Sequence, residues 1–136
     1  MAADIVPPDE LPDADYPLVL STGRLLEHWH TGAMTRRASV LDEIEPAAVA
    51  MMAPGELRRR RLKPGDAIRV TTRCGAIELK VRSDRDVPAG MVFIPFCFAE
   101  AAANVLTNPA LDPIGKIPEF KFCAARVEPV HAAAAE

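Results

Sequence analysis

No two cysteines of this chain lie close enough to form a zinc, haem or dithiol motif. Cys74, Cys97 and Cys123 stand more than twenty residues apart, and none belongs to a Cys-x-x-Cys pair. Their odd number and wide spacing read as reduced structural thiols rather than a disulfide framework. No apolar run approaches the roughly 20 residues that a membrane-crossing helix needs. Acids rather than bases crowd the first residues, the wrong sign for a signal peptide. The expectation is a soluble, cytoplasmic protein with no membrane contact. A net charge of −3 lacks the basic footprint of a nucleic-acid binder, so any anion site has to be local. Glycine is scarce, at seven residues, while thirteen prolines interrupt the chain, and only the stretch from about Ile44 to Arg61 has room for a long helix.

What remains is the composition of one ordinary globular domain. The chain has 136 residues, 49% of them apolar and 26% charged, enough to bury one core. Residues 1–15, MAADIVPPDELPDAD, are acidic, proline-rich and poor in large apolar side chains, and are expected to run as a flexible arm or linker. Residues 16–128 form the expected domain, and residues 129–136, ending in HAAAAE, a disordered tail. No internal repeat is apparent.

Short apolar runs bounded by turns make the layout mainly β with short helices. Residues 16–22 read as a buried strand that delivers Thr22, Gly23 and Arg24 to its mouth, and residues 25–40 as a long structured loop. Pro46 can open a helix carrying Ala47, Val49, Ala50, Met51 and Met52, followed past Pro54-Gly55 by a turn with Leu57 and Leu62 inward. Lys63-Pro64-Gly65-Asp66 leads into a hairpin, 67–72 and 76–81, in which Ile68 and Val70 share a face opposite Arg69 and Thr71. A buried strand at 91–96, helical turns at 99–106 and a last strand at 121–128 complete the expected set. So many short strands favour a closed barrel, which has no free edges.

Thr22 to Arg37 is the densest functional candidate. Its sixteen residues gather three arginines, two histidines, three threonines, two glycines and the sole tryptophan. Guanidinium forks, hydroxyls and closely approaching backbone N–H groups suit a diphosphate. The same residues also fit a purely structural reading, with Arg36 and Arg37 solvated, Trp29 in the core and the histidines bonded to backbone. Zinc is disfavoured because His28 and His30 lack a third ligand at a usable spacing. The run Arg58 to Arg61 reads as a solvated helix face. Farther on, Asn104 can both donate to and accept from a heterocycle edge, and Lys121 can supply a point charge.

Together, LSTGRLLEHWHTGAMTRR, AAANVLTNPALDP and KIPEFKFCAARVE resemble the C-terminal domain of the molybdopterin oxidoreductases. The first motif is shared by the formate dehydrogenase and periplasmic nitrate reductase branches, and the other two resemble the formate dehydrogenase branch. Over roughly Tyr16 to Glu128, the resemblance implies a double-psi β-barrel of the aspartate-decarboxylase-like type. It implies a ligand as well: the bis(molybdopterin guanine dinucleotide) cofactor of molybdenum or tungsten. By that match Thr22, Gly23, Arg24, His28, His30, Thr31 and Arg36 line the pterin and diphosphate side, while Asn104 and Lys121 hold the pterin from the other. Cys97 departs from the pattern, standing in PFCFAE where many relatives are expected to carry histidine. The catalytic residues and metal ligand of such enzymes lie outside this segment, so the chain is expected to act with the remaining catalytic domains or a large subunit and to be inactive alone. Three rival expectations remain: the equivalent domain of a nitrate reductase, an interaction barrel that has lost its cofactor, and a self-processing decarboxylase. The last needs a Gly-Ser cleavage pair, which the chain does not contain.

Overall fold

The computed structural model describes residues 5–130, so the outer ends of the expected arm and tail, residues 1–4 and 131–136, lie outside the described residues. Six strands, β1 (Leu18–Gly23), β2 (Val49–Met52), β3 (Ala67–Thr71), β4 (Ala76–Ser83), β5 (Met91–Pro95) and β6 (Cys123–Pro129), close into a barrel in the order β1-β5-β2-β4-β3-β6. Two pairs are parallel, β1 with β5 and β2 with β4, and the other neighbours are antiparallel. This is the closed barrel that the strand pattern favours, in the double-psi form that the family resemblance implies. Two six-residue helices, α1 (Ser39–Ile44) and α2 (Pro54–Arg59), and three single 3-10 turns, Thr35–Arg37, Ala99–Ala101 and Ala103–Val105, fill the connections.

The β3–β4 hairpin forms as its alternation requires. Ile68 and Val70 are fully buried, while Arg69 faces solvent opposite Glu78 and bonds to its carboxylate at 2.6 Å. Each buried aliphatic side chain of this kind contributes about 1.5–3 kcal/mol. The stretch Val49 to Met52 forms β2, not the expected helix, because it is inserted between β4 and β5 with all four side chains buried. Burial on both faces outweighs the helix preference of Ala and Met.

Strand directions define two ends of the barrel. At one, β1 and β5 finish, β2 and β4 begin, and the long connections 24–48 and 96–122 form a cap. At the other lies α2, entered through Pro54 at its first turn. It ends in a Schellman motif: Leu62 N–H bonds to Leu57 O (2.9 Å), Arg61 N–H bonds to Arg58 O (3.1 Å), and the two leucines are buried. Arg61 occupies the left-handed position, φ 57°, that glycine usually fills.

Residues 5–17 contain neither helix nor strand, yet they are held to the barrel. Glu10 Oε1 accepts the Ala124 amide at 2.7 Å, and Glu10 and Asp13 share the guanidinium of Arg73, which lies 4.6 Å from the Tyr16 ring centre.

Candidate functional site

The capped end is organised around the exit of β1. Gly23 is required there by packing: a Cβ would lie 2.6 Å from the ring of Phe93, too close for any side chain. Beside it Thr22 is buried, and its hydroxyl donates to the Phe120 carbonyl, so the connection preceding β6 is tied to the rim. The Thr22 carbonyl accepts a hydrogen bond from Lys121 Nζ at 2.7 Å. This ammonium lies between two aromatic rings, 5.9 Å from the centre of Phe96 and 5.6 Å from that of Phe120, within cation–π range.

Arg24, the first residue beyond β1, donates from Nη2 to Nε2 of His30 at 3.2 Å. A guanidinium can only donate, so Nε2 is the acceptor and the ring proton sits on Nδ1. His30 takes φ 49° and stands edge-on to Trp29, 4.8 Å between centres, with Phe96 at 6.4 Å. Arg24, His30, Trp29 and Lys121 are all exposed, with half-buried Phe96 between His30 and Lys121. The result is a ledge of cationic and aromatic groups.

The loop that carries this ledge is anchored from behind. Gly32, at φ 74°, lies against the Cys97 carbonyl, and a Cβ there would come within 2.7 Å of it. His28 is buried, edge-on to Phe98 at 5.7 Å, and its Nε2 donates to the Glu45 carbonyl at 2.8 Å. Arg36 lies 4.8 Å over the Phe98 ring and bonds to Glu100 (2.7 Å) and Asp42 (3.2 Å). The Glu100 hydrogen bond, aided by Asp42, raises the pKa of the guanidinium above its ordinary value. Cys97 is buried in the same region, and burial pushes its thiol pKa up, away from the reactive thiolate.

Thr22, Gly23, Arg24, His30 and Lys121 are thus brought together. Thr31 is exposed on the same loop. His28 and Arg36 face inward and fasten the cap: His28 bonds to backbone, as its structural reading has it, whereas Arg36 is paired with Glu100 and Asp42 rather than solvated. Trp29 is 59% exposed, so it belongs to the ledge and not to the core. Asn104, exposed on the 3-10 turn Ala103–Val105, lies on another part of the cap, and its side chain has no hydrogen bond among the described residues. Sequence reasoning missed Phe96 and Phe120 as the flanks of Lys121. Their only signal was two aromatic residues near a basic one.

The arginine run lies at the far end. Glu56 of α2 is 2% exposed and binds Arg59 (3.0 Å), Arg60 and the Gly90 amide (3.1 Å). Burial opposes its ionisation, but these partners prevail and hold its pKa below the usual carboxylate range.

Residues 18–124 match the family model described as "Molydopterin dinucleotide binding domain". The F420-dependent formate dehydrogenase 1 subunit alpha of Methanococcus maripaludis is 45% identical over 130 residues, covering 95% of this chain and 19% of that protein. The F420-dependent formate dehydrogenase subunit alpha of Methanocaldococcus jannaschii is 46% identical over 119 residues, covering 88% and 18%. Acetylene hydratase from Pelobacter acetylenicus shares the fold, with a TM-score of 0.74 at 22% identity over 84% of this chain and 18% of that one. The chain spans about a fifth of the length of the curated relatives it matches.

Proposed function

The chain belongs to the molydopterin dinucleotide binding domain family, and from that premise we propose that it holds the molybdopterin guanine dinucleotide cofactor as one domain of a formate dehydrogenase alpha subunit. The observation that carries this reading is the ledge at the β1 exit, where Arg24, His30 and Lys121 meet Trp29 and Phe96. Its donor set fits the ligand: fixed cationic donors suit diphosphate oxygens, and flat rings suit a heterocycle. Thr22 and Gly23 shape the rim, Thr31 adds a hydroxyl, and Asn104 and Lys121 approach the pterin. His28 and Arg36 serve from behind, holding the loop in register.

When bound, the cofactor supplies two-electron redox chemistry at its molybdenum or tungsten, by which the complete enzyme oxidises formate to carbon dioxide. This chain's residues orient the cofactor and stabilise its charge. The metal ligand and the residues acting on formate belong to the remaining catalytic domains, with the cofactor between them and this barrel. The 45% identity to formate dehydrogenase alpha subunits favours this branch over nitrate reductase. Three unpaired thiols agree with a reducing, cytoplasmic setting.

The test is cofactor retention in the assembled enzyme. Arg24→Ala and Lys121→Ala should each reduce metal and pterin content, since a charged hydrogen bond in a partly desolvated cleft is worth about 1.5–3 kcal/mol. Arg58→Ala and Arg61→Ala, at the far end, should leave it normal. Equal loss from both sets would place the cofactor elsewhere.

A further inference from the structure

The acidic segment before β1 reaches the connection that carries Lys121 at two points. Asp9 N–H donates to the Glu119 carboxylate, at 3.1 Å to Oε2, two residues before Lys121. Glu10 Oε1 accepts the Ala124 amide at 2.7 Å, three residues after it. Neither contact is incidental. Glu119 Oε2 also accepts from Asn108 Nδ2 at 3.1 Å, and Asn108 Nδ2 donates in addition to the Phe122 carbonyl at 3.3 Å, so one network spans both sides of Lys121.

The Ala124 contact has a topological cause. β6 is paired with β3 as far as Thr71 opposite Arg126, and two more steps would set Arg73 opposite Ala124. The chain instead turns at Thr72, whose amide bonds to the Gly75 carbonyl. The fully buried Ala124 amide is therefore left without a strand partner on that side, and the Glu10 carboxylate takes the place. Arg73, displaced outward, clasps Glu10 at 2.8 Å together with Asp13, and its guanidinium lies on Tyr16.

We infer that Glu10 and Glu119 are positioning residues for Lys121. They fix the backbone on either side of it, so that its ammonium stays under the Thr22 carbonyl on the cofactor-facing rim. The inference rests on the reading of that rim as the cofactor site, but the behaviour of Lys121 can be measured without cofactor.

The probe is trace acetylation of the full chain by an amine-reactive reagent, with Lys121 labelling read by mass spectrometry relative to Lys63 at the opposite end. Glu10→Ala and Glu119→Ala should each raise the Lys121 ratio several-fold. Glu10→Gln, which keeps an oxygen for the Ala124 amide, should bring it back close to that of the unaltered chain. Rescue of this kind is not expected if Glu10 merely adds general stability. An unchanged ratio in both alanine variants overturns the inference. If Glu10→Ala does not fold, Glu119→Ala decides alone, because of its two partners Asp9 is exposed and the buried Asn108 keeps its bond to the Phe122 carbonyl. Pterin content of the assembled enzyme separates the two readings: a freed Lys121 with normal cofactor content upholds the positioning role and removes Lys121 from the cofactor site.

Discussion

Arg36 donates to Glu100 at 2.7 Å across 64 residues of chain, and this one contact joins the loop after β1 to the 3-10 turn after β5. Arg24, twelve residues earlier, has a histidine ring nitrogen and no carboxylate as its side-chain partner among the described residues. Two arginines of one motif therefore have different work, and substitution should separate them.

Arg36→Ala is expected to lower the thermal midpoint by roughly 4 °C, the equivalent of about 1 kcal/mol in a domain of this size. The half-exposed carboxylates limit the loss. Arg24→Ala should leave the midpoint nearly unchanged while cofactor content falls. Calorimetry of the chain beside metal analysis of the enzyme tests both halves. A cofactor loss from Arg36→Ala with no change in midpoint would make Arg36 a direct ligand.

Arg61 offers a stabilising substitution. A non-glycine residue in the left-handed region costs about 1–2 kcal/mol, part of which is returned because glycine loses more entropy on folding. Arg61→Gly should stabilise the chain by about 1 kcal/mol in denaturant unfolding without altering cofactor content. Destabilisation would mean that the Arg61 side chain makes a contact worth more than its backbone strain.

Acid should loosen the far end through Glu56. Its folded pKa is depressed, so its contribution to stability is complete above the unfolded value, near 4.3, and is lost as pH falls through the folded value. A plot of midpoint against pH should drop below about pH 4.3. In Glu56→Gln the midpoint should be lower at neutral pH, and this part of the drop should be absent. Parallel curves for the two proteins would assign acid sensitivity to other carboxylates.

Removal of residues 1–15 tests the arm. A free linker would be lost without cost, whereas the Glu10 carboxylate on the buried Ala124 amide implies a loss of about 1–3 kcal/mol. Unfolding of the full and truncated chains should differ by that amount, and by less in high salt, which screens the exposed Arg73 pairs.

The isolated chain should show no turnover of formate with an artificial acceptor. Activity above a metal-free control would contradict its assignment as one domain of a larger catalyst.

The β3–β4 hairpin was legible because strict alternation at Ile68 and Val70 coincided with turn residues at both ends. β2 was not, since Pro46 and the Ala-Met-Met run carry a helix signal that only the neighbouring β4 and β5 override. At the site, the family resemblance named Thr22, Gly23, Arg24 and His30, while local chemistry marked only the whole segment Thr22 to Arg37. It could not tell Arg24 from Arg36, because the carboxylate that captures Arg36 lies 64 residues away. For the same reason the acidic arm read as a linker: Ala124 is 114 residues beyond Glu10.

The place of β6 between β1 and β3 also sets when the barrel can exist during synthesis. Leu18 waits for Ala125, and Ile68 for Pro129, so both flanking strands expose bare edges until the last strand has emerged. Closure over so long a separation is slow, and an unclosed sheet with two open edges invites pairing with other chains. A ribosome stalled before Cys123 would release an aggregation-prone sheet rather than a smaller working domain.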